Sequence, residues 1–195
     1  TELLCFYKMV EEKMIKTFYL MRHGQTRFNV QGRIQGMCDS PLTEERIEQA
    51  KAARRYFEQE GITFTRVYSS TQERACDTAE LATGRVDYIR LKGIKEMDFG
   101  AYEAHQEYLN PPVHHEDGSD YRDFFVRYGG ESTAQVYECM EQTIREVLED
   151  SKEDETLLFV SHGGAIMRFY LHATKNPPIP KKRPANCAIF KITYD

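Results

Sequence analysis

Neither a CxxC pair nor an even number of cysteines occurs in the chain. The five cysteines, Cys5, Cys38, Cys76, Cys139 and Cys187, are widely spaced. That disfavours a disulfide framework and a structural zinc site, and fits a reducing, cytoplasmic compartment. Surplus positive charge is also missing: 26 Lys and Arg stand against 31 Asp and Glu, a net charge of −5. Nucleic acids and anionic membranes are bound through excess Lys and Arg, so neither is expected as a partner. No apolar run is long enough to span a bilayer, and even the charge-free stretch Thr156–Met167 falls short. The apolar patch Leu3, Leu4, Phe6 and Tyr7 sits between Glu2 and Lys8, with Glu11 and Glu12 beyond and no small-residue cleavage site, so it does not read as a signal peptide. A Walker A loop, a GxGxxG turn and a carboxylate-rich cage for Mg²⁺ are all absent. No metal and no cofactor is therefore expected.

What is present is ordinary for a folded domain. The 195 residues are 41% hydrophobic, 29% charged and 12% aromatic, which excludes collagen-like, low-complexity and disordered chains. One domain of this length buries roughly 70% of the surface its unfolded form exposes. Strand-like and helix-like stretches alternate along it. Strands are expected at Thr17–Met21, Phe64–Ser69, Val86–Leu91, Thr156–Val160 and Asn186–Thr193. Helices are expected at Pro41–Gly61 (Thr43 as candidate cap), Thr71–Thr83 (Ser70 or Thr71 at its start, Gly84 at its end), Glu131–Ser151 (apolar Ala134, Tyr137, Met140, Ile144 and Leu148) and Gly164–Ala173. Gly93–Gly130 is irregular, with short helices near Glu103–Leu109 and Tyr121–Tyr128. The alternation implies an α/β fold with a mostly parallel sheet and helices on both faces. In such sheets ligands bind at the carboxyl ends of the strands.

Three of those ends carry chemistry. The first strand runs into Arg22-His23-Gly24-Gln25-Thr26, the second into Ser69-Ser70 with Arg74 shortly after, and Thr156–Val160 into Ser161-His162-Gly163-Gly164. Guanidinium forks match phosphate oxygens, and Gly-containing turns at helix starts present N–H groups to anions. An imidazole serves as nucleophile, proton carrier or ligand. The residues themselves thus describe an anion pocket holding one or two imidazoles.

The blocks also carry a resemblance. Leu20-Met21-Arg22-His23-Gly24-Gln25-Thr26 with Asn29, then Gln35-Gly36-Met37-Cys38-Asp39-Ser40-Pro41-Leu42-Thr43, resembles the signature of the histidine phosphatase superfamily, phosphoglycerate mutase-like branch. Ser69-Ser70 with Arg74-Ala75 and Thr78-Ala79, Glu96-Met97-Asp98-Phe99-Gly100 with Glu103, Gly130-Glu131-Ser132, and Ser161-His162-Gly163-Gly164 follow in the family's order. The resemblance implies a single-domain three-layer sandwich over 17–195, after an extension at 1–16. It implies His23 as the nucleophile, forming a phosphohistidine, and Glu96 as proton donor to the leaving oxygen. Arg22, Arg74 and His162 would bind and polarise the phosphoryl group, with Asn29, Gln35, Gly36 and Gly163 completing the pocket. Segment 101–130 would form a lid, with Tyr102, Tyr108, Tyr121, Phe124 and Phe125 as a partly aromatic wall or as core.

Departures from the family choose among its activities. Ala104 and Arg46 stand where Gly is usual, and neither position does chemistry. Mutases of the family carry a Tyr three residues after the acid, an Arg-Arg pair in the middle segment and Asn after the late His-Gly. Here those places hold Phe99, only isolated Lys95, Arg122 and Arg127, and Gly164. A mutase must retain and turn a bisphosphate, which needs more cations. The expected activity is therefore metal-independent hydrolysis of a small phosphorylated substrate by a monomer or homodimer. A phosphoglycerate mutase and a non-catalytic phospho-ligand binding module are the alternatives. His114-His115-Glu116-Asp117 reads as a solvated loop, Lys181-Lys182-Arg183 as an exposed loop, and Cys76 and Cys139 as packed thiols on helices.

Overall fold

The computed structural model describes residues 16–110, 121–174 and 184–194. The expectations placed on 1–15, on His114-His115-Glu116-Asp117 and on Lys181-Lys182-Arg183 lie outside the described residues. In chain order the elements are β1 (Lys16–Arg22), α1 (Arg27–Val30), α2 (Glu44–Gln59), β2 (Arg66–Ser70), α3 (Glu73–Thr83), β3 (Ile89–Leu91), α4 (Thr133–Asp150), β4 (Leu157–Ser161), α5 (Gly163–Ala173) and β5 (Ile189–Tyr194). Short 3₁₀ turns at Lys92–Ile94, Gly100–Tyr102, Glu107–Leu109 and Val126–Tyr128 occupy the irregular middle segment.

The five strands form one sheet in the order β3-β2-β4-β1-β5. Strands β1, β4, β2 and β3 run parallel, and β5 adds an antiparallel edge against β1. Side chains of a strand alternate between faces, and here both faces are buried. Phe18 and Leu20 of β1, with Leu157 and Phe159 of β4, pack with Met140, Ile144 and Leu148 of α4 and Ile166 and Phe169 of α5. Tyr19 and Met21, with Leu158 and Val160, pack with Ala53 and Phe57 of α2 and Ala75 and Ala79 of α3. This is the α/β arrangement expected from the alternation of strands and helices, in the three layers that the resemblance implies.

Helix ends depart from expectation in instructive ways. Thr43 occupies the N-cap position of α2, but its hydroxyl makes no capping bond. At α3 the cap position falls to Gln72, not to Ser70 or Thr71, while Gly84 ends the helix in the left-handed region at φ 69°. Helix α4 begins with a reciprocal capping box between Ser132 and Gln135, and it buries Val136, Met140, Ile144 and Leu148 while Ala134 is exposed. A cap is worth about 1 kcal/mol, and each large apolar side chain buried about 1.5–3 kcal/mol. Packing therefore decides which face of α4 points inward. Cys76 is buried as expected, whereas Cys139 is exposed. Strand β3 is shorter than Val86–Leu91, with Val86 solvated outside it. The aromatics of the middle segment gather around fully buried Phe125, which Phe99, Tyr102, Tyr121 and Phe124 meet edge-on. Tyr108 stands apart, 80% exposed.

Ala104 adopts φ 63°, a left-handed conformation that a Cβ disfavours and glycine accepts. We expect Ala104→Gly to stabilise the fold by about 0.5–1 kcal/mol despite its looser unfolded chain. Urea unfolding measures this, and a loss of stability would contradict a strained backbone here.

Candidate active site

The register of the sheet assembles the site. Arg22 pairs with Ser161 across β1 and β4, and Ser69 pairs with Val160 across β2 and β4. Three adjacent parallel strands therefore end at one edge, where Ser70, the last residue of β2, meets His23 and His162, the residues that follow β1 and β4. The His23 and His162 rings lie 5.1 Å apart, centroid to centroid. Both are buried, as is Arg74, whose side chain is wholly inaccessible.

His23 is held by its backbone and its ring. Its N–H donates to Ser161 O (2.9 Å), and Nδ1 lies 2.6 Å from Gly24 O. A carbonyl only accepts, so Nδ1 carries the proton and Nε2 keeps its lone pair. The Gly24 turn is itself tied down: Gly24 N–H donates to Thr78 Oγ1 (2.9 Å), and the Thr78 hydroxyl donates to Arg74 O (2.7 Å). Burial, then the Arg74 and Arg22 charges, hold His23 well below the ordinary imidazole value of 6.5, against the opposing Gly24 hydrogen bond. His162 is lowered likewise by burial, by Arg74, by His23, by Arg22 and by Lys95. Both rings are thus neutral near pH 7.

Arg74 stands on the first turn of α3 and grips the loop after α1. Its Nη1 donates to Cys38 O (3.0 Å) and Asp39 Oδ1 (2.9 Å), and its Nη2 to Gly36 O (2.9 Å) and Gln35 O (3.3 Å). Glu103 draws in the same loop from the other side, accepting N–H bonds from Gly36, Met37, Cys38 and Phe99. A side chain on Gly36 would collide with Met97 O and with Glu103. Gln72 completes the clamp: its Nε2 donates to Gly36 O, and its Oε1 accepts Glu96 N–H (2.9 Å). Burial, with the Glu103 carboxylate beside it, pushes the Cys38 thiol up to about 12, so this cysteine is no nucleophile.

Glu96 lies at the start of α5. Gly164 N–H donates to its Oε2 (2.9 Å), and Ala165 and Met97 N–H donate to its Oε1 (2.9 and 3.1 Å). Four lone pairs receive three donors, which leaves one open on Oε2. The two glycines make these approaches possible. A Cβ on Gly164 would sit 2.6 Å from Glu96 Oε1, and one on Gly163 would sit 2.9 Å from Arg22 Nε. Arg22 also donates through Nη1 to Pro184 O.

Of the expected site residues, Arg22, His23, Arg74 and His162 come together, and Glu96 adjoins them through the His162–Gly164 turn. Asn29, Gln35 and Gly36 make structural hydrogen bonds of their own. Asn29 caps α1 reciprocally with Thr26. The Gln35 side chain accepts the Thr26 hydroxyl (2.5 Å), and the Gly36 N–H is taken by Glu103. Residues not singled out for chemistry hold the rest in place: Ser70, Gln72, Thr78 and Asn186, whose Nδ2 donates to His23 O (3.1 Å). The i, i+4 spacing of Arg74 and Thr78 on one helix face was a signal for Thr78. Among the described residues, two buried nitrogens of the cluster, Arg74 Nε and His162 Nδ1, have no hydrogen-bond partner. The unspent Arg74 Nε–H suits an anion. No group of three or more His, Cys, Asp or Glu among the described residues could hold a metal ion, and no described helix is long and apolar enough to cross a membrane.

The two neutral rings make stability depend on pH. Their folded values lie below the unfolded one, so as pH falls below 6.5 the unfolded chain binds protons that the folded chain refuses. Stability is then lost toward acid, by up to about 1.4 kcal/mol per pH unit for each ring. Urea unfolding between about pH 7 and pH 5 should show this slope, and His162→Gln should lessen it. Equal slopes for both proteins would contradict a neutral, buried His162.

Comparison with known proteins agrees with this geometry. The family model of the histidine phosphatase superfamily (branch 1) matches residues 18–195. A probable phosphoglycerate mutase, GpmB, of Proteus mirabilis (strain HI4320) is 40% identical over 90 residues, 45% of this chain and 41% of that protein. The chain therefore spans less than half the length of that relative. A metal-independent phosphoserine phosphatase of Arabidopsis thaliana is 30% identical over 171 residues, 84% of this chain and 71% of that one. Among solved structures, Bacillus stearothermophilus YhfR superimposes with a TM-score of 0.75 at 26% identity, over 92% of each chain. With a family model matched from the first strand to the last residue and the family's motifs gathered at one sheet edge, this chain belongs to the histidine phosphatase superfamily, branch 1.

Proposed function

We propose that the chain is a metal-independent phosphomonoesterase that hydrolyses a small phosphorylated metabolite through a phosphohistidine on His23. The state of the His23 ring carries this reading. It is buried and neutral, its one proton is committed to Gly24 O, and its Nε2 lone pair is left for an electrophile. The Nε2 lone pair forms the N–P bond as the ester P–O bond breaks. The leaving oxygen keeps that electron pair and takes a proton from Glu96. A water then attacks phosphorus, its proton passes to Glu96, and the N–P bond breaks to restore the neutral ring. The open lone pair on Glu96 Oε2 is where that proton travels. Arg22, Arg74 and the His162 ring carry the charge on the three equatorial oxygens, which is most of what phosphoryl transfer asks of a protein.

The relatives' names bear on substrate and outcome. The Arabidopsis relative is a metal-independent phosphoserine phosphatase, which supports a small polar ester as substrate. The Proteus relative is called a probable phosphoglycerate mutase, so transfer back to substrate is the second reading. Against it stand Gly164 and the lack of an adjacent Arg-Arg pair in the middle segment, where Lys95, Arg122 and Arg127 lie apart in the sequence. A pure binding module has no use for both His23 and Glu96.

A panel of phosphoserine, phosphoglycerates, sugar phosphates and nucleotides, assayed with EDTA, should show inorganic phosphate released from at least one ester at undiminished rate. Loss on chelation, or phosphate moved between substrate positions without release, would overturn the reading. His23→Ala should abolish turnover. Glu96→Gln should slow alkyl esters by about 10²–10⁴-fold and nitrophenyl esters far less. Gly164→Ala, which crowds the carboxylate, should reproduce that pattern in milder form. Equal losses on both kinds of ester would remove Glu96 from the proton-donor role.

A further inference from the structure

Ser70 ends β2, is wholly buried, and makes two hydrogen bonds through its hydroxyl. Gln72 N–H donates to Oγ at 3.2 Å. Oγ also lies 2.7 Å from His162 Nε2. A serine hydroxyl has one proton to give and two lone pairs to offer. One lone pair is spent on Gln72, and no acceptor for the hydroxyl proton other than the His162 ring occurs among the described residues. Were Nε2 the protonated nitrogen, the ring would donate to Ser70 and the hydroxyl proton would be stranded in the interior, an arrangement that buried polar groups avoid. The opposite arrangement leaves nothing stranded on this side of the ring.

We propose that Ser70 is a positioning residue: fixed as an acceptor by Gln72, it donates to His162 Nε2 and so places that ring's single proton on Nδ1, the buried nitrogen without a partner, where it serves as a donor to the substrate's phosphoryl oxygen. His23 and His162 then use opposite nitrogens for opposite purposes. In each, a neighbour on the protein side decides the tautomer: a carbonyl that can only accept makes His23 Nδ1 the donor and frees Nε2 as nucleophile, and a hydroxyl that is already an acceptor makes His162 Nε2 the acceptor and frees Nδ1–H as electrophile. Such outer partners commonly set which imidazole nitrogen carries the proton. A neutral donor is well suited to this place. It grips the phosphoryl oxygen, and it adds no further positive charge beside the nucleophile.

The role in gripping phosphate rests on the proposed phosphoryl-transfer function; the tautomer does not. Two-bond ¹H–¹⁵N correlation of the imidazoles in the ¹⁵N-histidine-labelled resting protein, with the His162 signals assigned through His162→Gln, reads the tautomer directly, whether or not phosphate is ever found on His23. We expect the Nδ1–H form for His162 in the wild type. Ser70→Ala, which deletes only a hydroxyl, should shift His162 toward the Nε2–H form while His23 keeps its own tautomer. It should weaken vanadate and inorganic phosphate binding by about 10- to 100-fold in a protein that still folds, with a lowered unfolding midpoint because Gln72 N–H loses its acceptor, and Ser70→Thr should restore the wild-type tautomer. An Nε2–H form of His162 in the wild type, or a tautomer unmoved by Ser70→Ala, overturns the inference.

Discussion

An imidazole enclosed beside two guanidinium groups refuses a second proton, and the site depends on that refusal. Burial alone disfavours the charged form of His23, and the Arg74 and Arg22 charges add to the effect. The same cations that would gather a phosphate thus keep His23 unprotonated. One contact then decides which nitrogen is free: Gly24 O can only accept, so Nδ1 holds the proton and Nε2 does not. The Gly24 turn is held in its turn by Thr78, which stands on the same helix as Arg74. His23 and Arg74 are therefore set against each other by a single element, α3, packed through its alanines onto the sheet.

The other constraint is the number of backbone donors that carboxylates absorb. Glu103 takes four N–H groups and closes the loop that Arg74 holds by its carbonyls. Glu96 takes three and sits against the start of α5, where a pair of glycines leaves room for it and for Arg22. Two acids seven residues apart thus hold different groups. One is saturated by a loop. The other keeps one lone pair open on Oε2, the one to which the proposed function assigns the proton.

Much of this was legible in the sequence, for a physical reason. Strands buried on both faces read as short apolar runs, and β1, β2 and β4 stand out as TFYLM, the stretch before Ser69-Ser70, and TLLFV. In a parallel sheet such runs all point the same way, so whatever follows them shares one edge. His23, Arg22, His162 and Arg74 were therefore placed together before any coordinates, and the family's motifs named Glu96 beside them. Less legible were residues that act through backbone groups or through other side chains. Gly36 was expected only as part of the pocket, and that Glu103 takes its N–H was not legible. Gln72 drew no expectation of its own, yet its amide joins the loop at Gly36 to the acid at Glu96. Nothing in local pattern reveals such partners, because the contacts span dozens of residues. The face of α4 was misjudged at Ala134 for a kindred reason: helical spacing admits more than one stripe, and the larger Val136 wins the interior.

Trapping the covalent intermediate tests the account most directly. The protein should be mixed with a hydrolysed ester, quenched in alkali within a turnover, and digested for mass spectrometry under conditions that preserve acid-labile phosphoramidates. The account predicts phosphate on the His23 peptide, lost on mild acid treatment and missing from His23→Ala. An ester that is hydrolysed in many turnovers with no phosphate ever found on His23, or with phosphate found on His162 instead, would contradict it.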